Sequence, residues 1–207
     1  MKKFLALIAT AAALCFAESA PQTHDGFFMN WTLGLGFQSF DYVASDNDNY
    51  DMKAKGLSAE TDFLIGGRIM ENTLLHASFI IVKNANDIER YTKSGRKYDE
   101  SEGISEQMNL FGIGATYYLP SNVFFTASLG LAWFSIEIDN CSGSYCTAGS
   151  TDTGFGFQVG AGKEWWVAPE WGLGAKLAFT YGSANDQDDA GDASAFGINL
   201  MFTITYN

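Results

Sequence analysis

His76 and Ser78 stand two residues apart, and a hydroxyl beside an imidazole is the raw material of a nucleophile and its base. On an extended chain the two side chains share a face. Such a pair needs a third group to orient the ring, and no carboxylate stands at a suitable spacing. A second group of candidates is ionisable: Glu60, Asp62, Arg68, His76, Glu106, Glu164 and Lys176. A third is acidic: Asp186, Asp188, Asp189 and Asp192 are hard oxygen ligands of the kind that hold Ca²⁺. Asp186-x-Asp188 followed by Gly191 opens like an EF-hand loop, but Ala190 occupies the next ligand position and Gly197 the place of the closing glutamate. The expectation is therefore no metal centre and no cofactor, with loose cation binding by the acidic loop as the other reading. The last candidates are Cys141 and Cys146, in the polar run Asn140-Cys141-Ser142-Gly143-Ser144-Tyr145-Cys146. No histidine lies nearby to complete a metal site, so the pair reads as a local disulfide formed in an oxidising compartment.

The elements that carry these residues follow a period of two. From Phe27 the odd positions read Phe27, Met29, Trp31, Leu33, Leu35 and Phe37, and the even ones Phe28, Asn30, Thr32, Gly34, Gly36 and Gln38. Successive strand side chains point to opposite faces, so one face is apolar and the other small or polar. The pattern returns at 60–69, 74–83, 111–118, 125–133, 155–162, 171–182 and 196–206, which makes eight strands. Three connections are short: Glu71-Asn72-Thr73, Pro120-Ser121-Asn122 and Ala168-Pro169-Glu170. Four are long and polar: 43–56, 84–103, 139–152 and 183–193, the second mixed in charge, with a basic patch at Lys93 to Lys97 and the length to extend as a hairpin above the membrane. Short turns at one end and long loops at the other are the pattern of an all-β, eight-stranded antiparallel up-and-down transmembrane β-barrel.

The second face decides which way the apolar one points. A water-facing surface would be rich in Lys, Glu and Asp. Here it is mostly Gly, Ala, Ser, Thr, Asn and Gln, which suits the crowded interior of an eight-stranded barrel. The seven ionisable residues from Glu60 to Lys176 share this inward parity, and Arg68 and Lys176 are expected to pair with the carboxylates, because buried charges must be paired or hydrated. Lys163 has outward parity near a strand end, where its stem can snorkel unless a local bulge turns it. Aromatic residues gather at the strand ends: Trp31, Tyr117, Trp165, Trp171 and Tyr206 toward the short turns, and Trp133 and Tyr181 toward the long loops. Two such girdles mark the two membrane interfaces.

Met1, Lys2 and Lys3 precede an uncharged run to Phe16, then Ala17. This has the form of a signal peptide over residues 1–17, cleaved after Ala17. Residues 18–25 then form a short tail and 26–207 the barrel. No later stretch is apolar over the roughly 20 residues that a spanning helix needs. The formal charge of −12 excludes a nucleic-acid partner, whose phosphates require Lys and Arg. Three prolines, 22 glycines and 15% aromatic residues suit strands and turns better than helices.

The whole chain after residue 17 resembles the small eight-stranded outer-membrane barrels of the OmpX, OmpW and OmpA transmembrane-domain type. Phe196-Gly197-Ile198-Asn199-Leu200-Met201-Phe202-Thr203-Ile204-Thr205-Tyr206 looks like their C-terminal assembly signal, departing from it only in that Asn207 follows the last aromatic. The resemblance implies insertion by the barrel-assembly machinery, long loops outside a Gram-negative cell, termini in the periplasm, and lipid and lipopolysaccharide as surroundings. It brings no catalytic residue. His76-Ala77-Ser78 also resembles the His-x-Ser pair of lipid A deacylase barrels, but it follows a short turn and faces inward. The expected function is non-enzymatic: a structural or surface-interaction barrel, with loops for an extracellular partner. A narrow channel for small or apolar solutes is the alternative, and a lipid-modifying enzyme a remote one.

Overall fold

The computed structural model describes residues 24, 26–45, 50–101, 104–138, 147–187 and 190–207. The expected signal peptide, Cys141, Cys146, Asp188 and Asp189 lie outside the described residues. Eleven strands are present among the described residues: β1 (Phe27–Ala44), β2 (Asp51–Met70), β3 (Thr73–Asn84), β4 (Ile88–Tyr91), β5 (Lys97–Ser101), β6 (Ile104–Tyr118), β7 (Val123–Ile138), β8 (Thr147–Ser150), β9 (Gly154–Ala168), β10 (Trp171–Asn185) and β11 (Gly191–Tyr206). Among the described residues there is no α-helix.

Eight of the strands close on themselves. The order β1-β11-β10-β9-β7-β6-β3-β2 is completed by the β1–β2 pairing, and every pairing is antiparallel. Closure leaves no unpaired edge in the wall, a condition for spanning a bilayer. The other three strands lie outside the ring. β4 pairs with β2 and with β5, and β8 pairs with β7. Two short turns are built on asparagines in the left-handed region, Asn72 and Asn122, both at φ 58°. Asparagine tolerates that conformation better than most residues.

The strands run further toward the long-loop end than alternation suggests. β1 continues to Ala44 and β2 begins at Asp51, so the loop expected over 43–56 is mostly strand. The long connection over 84–103 does extend as a hairpin, β4–β5. In these extensions the pattern reverses. Phe40, Tyr42, Ala54, Ile80, Val82, Met108, Leu110 and Phe134 point inward and are buried, while Asp41, Lys53, Lys55 and Lys83 take the outward parity. A strand in lipid is apolar outside, and a strand in water is apolar inside. The reversal between Phe37 and Phe40 on β1, and between Leu57 and Lys55 on β2, therefore marks the height at which the wall leaves the hydrocarbon.

Below that height the outer surface is a continuous apolar band. Leu33, Leu35, Leu57, Ile113, Leu129, Leu177, Leu200 and Phe202 are all exposed. An apolar surface of that extent has no soluble solution and requires lipid. Trp31, Tyr117, Trp133, Trp165, Trp171, Tyr181 and Tyr206 are exposed or half-exposed on the same face. Polar groups in the wall are satisfied locally: Trp31 Nε1 donates to Thr61 Oγ1 at 3.0 Å, and that hydroxyl donates to the Thr32 carbonyl at 2.9 Å. Lys163 donates to the Ser121 carbonyl at 3.1 Å in the β6–β7 turn and lies 5.9 Å from the Trp165 ring. The bulge is not at Lys163; the β9–β10 register shifts between Trp171 and Gly172.

Candidate functional site

The candidate site is the lumen, and its residues fall into three levels. The middle level holds the charges. Glu60 and Asp62 come from β2, Gln158 from β9, Lys176 and Thr180 from β10 and Asn199 from β11. All are at most 2% exposed. Lys176 Nζ forms a salt bridge with Asp62 Oδ2 and donates to Gln158 Oε1 at 3.2 Å. Gln158 Nε2 donates to Glu60 Oε1 at 2.6 Å, and Asn199 Nδ2 to Glu60 Oε2 at 2.5 Å. Ser58 Oγ closes the group by donating to Asn199 Oδ1 at 2.8 Å. Two carboxylates thus share one ammonium and a ring of amides and hydroxyls. Buried charge is tolerated on those terms.

Toward the short turns lie two hydroxyl-rich groups. His76 Nδ1 is 3.0 Å from Ser78 Oγ and its Nε2 is 3.1 Å from Thr116 Oγ1. Ser78 Oγ meets Ser128 Oγ at 2.8 Å. Both ring nitrogens therefore face hydroxyls, and no carboxylate holds the ring as a base would need. Gly114 is obligatory here, since a Cβ on it would come within 2.6 Å of His76 Cε1. In the second group Glu164 accepts from Thr205 Oγ1 at 2.5 Å and Tyr118 Oη at 3.2 Å, while Asn30 Nδ2 donates to Thr203 and Thr205, each at 2.7 Å. Phe28, Leu64, Leu74, Tyr118 and Phe124 fill the space below. His24, from the tail ahead of β1, is 5% exposed and stacks on Tyr118 with ring centroids 3.5 Å apart.

Toward the long loops the lumen is apolar. Phe40, Ile80, Val82, Ile88, Met108, Leu110 and Phe134 form one buried cluster, with the Phe40 and Phe134 rings 5.6 Å apart. The expectation of a small, polar lumen holds for the middle of the barrel and fails at both ends. Glu106 sits at this apolar level, apart from the other carboxylates. Its Oε1 accepts a long 3.5 Å hydrogen bond from Gln38 Nε2. Arg68 is not in the lumen at all: it is exposed, at the short-turn end of β2, where the β2–β3 register shifts between Arg68 and Met70. Arg68 keeps its register opposite buried Leu74, but it stands at the rim of the barrel, next to the turn, where its side chain reaches solvent; Lys176 is the cation that meets the carboxylates.

At the long-loop end the β4–β5 hairpin is pinned by charge. Lys93 pairs with Asp51 at 2.6 Å and Lys97 with Glu89 at 2.6 Å, while Tyr91 Oη donates to Glu89 at 2.5 Å. The Lys93 ammonium holds the Asp51 carboxyl below the usual carboxylate range, and Lys97 does the same for Glu89. Of the acidic loop, Asp186 accepts from Tyr42 Oη at 2.7 Å, and Asp192 is exposed. Among the described residues no cluster of His, Cys, Asp and Glu has the makings of a metal site.

A closed ring of eight strands with a lipid-ready exterior and a filled interior defines a membrane barrel of the smallest common size. The chain belongs to the outer membrane protein beta-barrel domain family, whose sequence model matches residues 6–203. It is an outer-membrane β-barrel protein, with the lipid bilayer of a Gram-negative outer membrane as its surroundings. Comparison with curated protein sequences finds no match. Among solved structures the chain is similar to Neisserial surface protein A, with 16% identity, a TM-score of 0.49, and 86% of this chain and 96% of that one covered. It is also similar to the outer membrane protease OmpT from Escherichia coli, at 10% identity, TM-score 0.47 and coverage of 91% and 99%. A third is OprG from Pseudomonas aeruginosa, at 9% identity, TM-score 0.46 and coverage of 91% and 100%.

Proposed function

We propose that this protein is an occluded, non-enzymatic barrel that reinforces the outer membrane and presents its long loops and the β4–β5 hairpin outside the cell, with both termini in the periplasm. The observation that carries the reading is the filling of the lumen at three successive levels. The apolar cluster around Phe40 and Phe134 fills one end with Glu106 and Gln38 buried beside it, the Lys176 network crosses the middle, and Tyr118 with His24 closes the other end. A conduit needs a polar path wide enough for water, and its lining sets what passes. The His76–Ser78 pair supports no lipid chemistry, since the two residues are 2% and 1% exposed and out of reach of a substrate.

Lipopolysaccharide is the fitting outer-leaflet neighbour. Lys53 and Lys55 share a cleft with Asn86, Tyr91 and two carboxylates, Asp87 and Glu89, directly above the apolar band at Leu57; phosphates there would meet the two lysines on the outer face of β2. The β11 sequence would serve as the signal for the barrel-assembly machinery. The test is swelling of liposomes that carry the folded protein, in glycine and in small sugars. Swelling no faster than that of protein-free liposomes is expected, and rapid swelling would favour a channel. An epitope placed between Ser94 and Gly95 tests the orientation, because it must be readable on intact cells.

A further inference from the structure

The mouth of the barrel at the long-loop end holds a pocket of about 340 Å³. Its floor is the top of the apolar plug: Phe40 and Phe134 are each 1% exposed, with Tyr42, Met52 and Ile136 beside them. One wall is raised by the short strand β8, whose Gly149 and Ser150 pair with Ile136 and Ser135 of β7. The rim also carries Asp186. Tyr42 Oη donates to Asp186 Oδ2 at 2.7 Å, and the Gln187 N–H donates to Oδ1 at 2.8 Å. Each carboxylate oxygen is thereby fixed in place with acceptor capacity left over. Asp192 adds a second negative charge nearby, since it pairs with Asn185, the residue before Asp186. No Lys, Arg or His lines the pocket among the described residues.

We propose that this pocket binds a small organic ammonium ion with an apolar, ring-sized body. The body lies on Phe40, Phe134, Met52 and Ile136, and the ammonium meets the Asp186 carboxylate. The volume is at the lower end of small-ligand sites, which combine an apolar lining with a few placed polar groups. The aromatic floor is as favourable to a cation as to a hydrocarbon, because the faces of Phe and Tyr rings carry negative charge density. The carboxylate selects the charge: an anion would meet Asp186 with no base among the described lining residues to offset it. The site sits above the plug, so it binds without conducting, and its failure would leave the occluded-barrel reading intact.

Isothermal titration of the full mature chain, folded in phosphatidylcholine nanodiscs with empty nanodiscs as the blank, tests this. The probes are phenethylammonium, neutral 2-phenylethanol and anionic 3-phenylpropionate. Phenethylammonium is expected to bind most tightly and phenylpropionate least. Asp186→Asn keeps an acceptor for Tyr42, so the fold survives. It is expected to weaken phenethylammonium about tenfold, the worth of one partly exposed charge-assisted hydrogen bond, and to leave phenylethanol unchanged. Ser150→Trp, on the exposed rim, is expected to abolish binding of all three while heat-modifiable gel mobility stays intact. Equal affinity for the ammonium and the alcohol would overturn the proposal. So would indifference to Asp186→Asn, binding that survives Ser150→Trp, or no binding up to about 1 mM.

Discussion

Replacing Lys176 with methionine removes the cation that pairs with Asp62 at the buried middle level and keeps the volume of its stem. Lys176 is 2% exposed and Asp62 is fully enclosed, so no water takes over the role of the ammonium. The change leaves Asp62 and Glu60 facing each other through Gln158, and it strips Gln158 Oε1 of its donor. Removing one partner of a buried pair costs about 3–5 kcal/mol, because the partner remains charged and enclosed. Removing both partners in favour of apolar groups is far cheaper, so Lys176→Met with Asp62→Leu should recover about 2 kcal/mol or more of the single-variant loss. Reversible urea unfolding in lipid vesicles, followed by tryptophan fluorescence, measures all four corners of the cycle. The reasoning fails if Lys176→Met is within about 0.5 kcal/mol of the parent, or if the two single costs simply add.

Three further outcomes follow from the wall, the lumen and the hairpin. Leu200→Arg puts a charge on the most exposed part of the lipid face, 66% exposed near the centre of β11, and should cost about 2–4 kcal/mol in the same unfolding assay. Gly114→Val drives a side chain into His76, since even a Cβ there lies 2.6 Å from Cε1, and should destabilise by about 1–3 kcal/mol while Ala115→Val on the outer face is neutral. The β4–β5 hairpin should loosen in acid. Folding lowers the pKa of Asp51 and of Glu89, so their anchoring is complete above the ordinary carboxylate range and is lost as the folded groups take protons, below about pH 4. Hydrogen–deuterium exchange of 88–97, corrected for the intrinsic rate, should be flat from pH 5 to 8 and rise only below about 4, and a rise already at pH 6 would contradict the assignment.

The barrel is legible in the sequence because lipid imposes a period of two, which the membrane-spanning parts of the eight wall strands follow. Parity also places Glu60, Asp62, His76, Glu164 and Lys176 inside. The upper barrel was hidden by the same rule. Once a strand rises out of lipid its polarity inverts, so Phe40 and Tyr42 pointing in, with Asp41 pointing out, break the pattern that defines the membrane segment. Lys53 and Lys55 flanking Ala54 carried the signal, since two lysines of lipid-facing parity cannot lie in hydrocarbon. Arg68 escaped for a different reason: parity gives the face a residue takes but not its height, and Arg68 lies at the rim beside the turn, where a long side chain reaches solvent. The Lys176–Asp62 pairing brings together residues 114 positions apart, on strands that are not neighbours in the wall, and only the closed ring shows which inward side chains meet across it.

Occlusion of the lumen is most directly tested by single-channel recording of the folded, purified protein in planar bilayers, beside a variant with Phe40→Ala and Phe134→Ala. The native protein is expected to give no conductance steps, and any steps should appear only when the aromatic plug is removed. Regular, voltage-independent steps from the native protein, unchanged in the variant, would contradict the account.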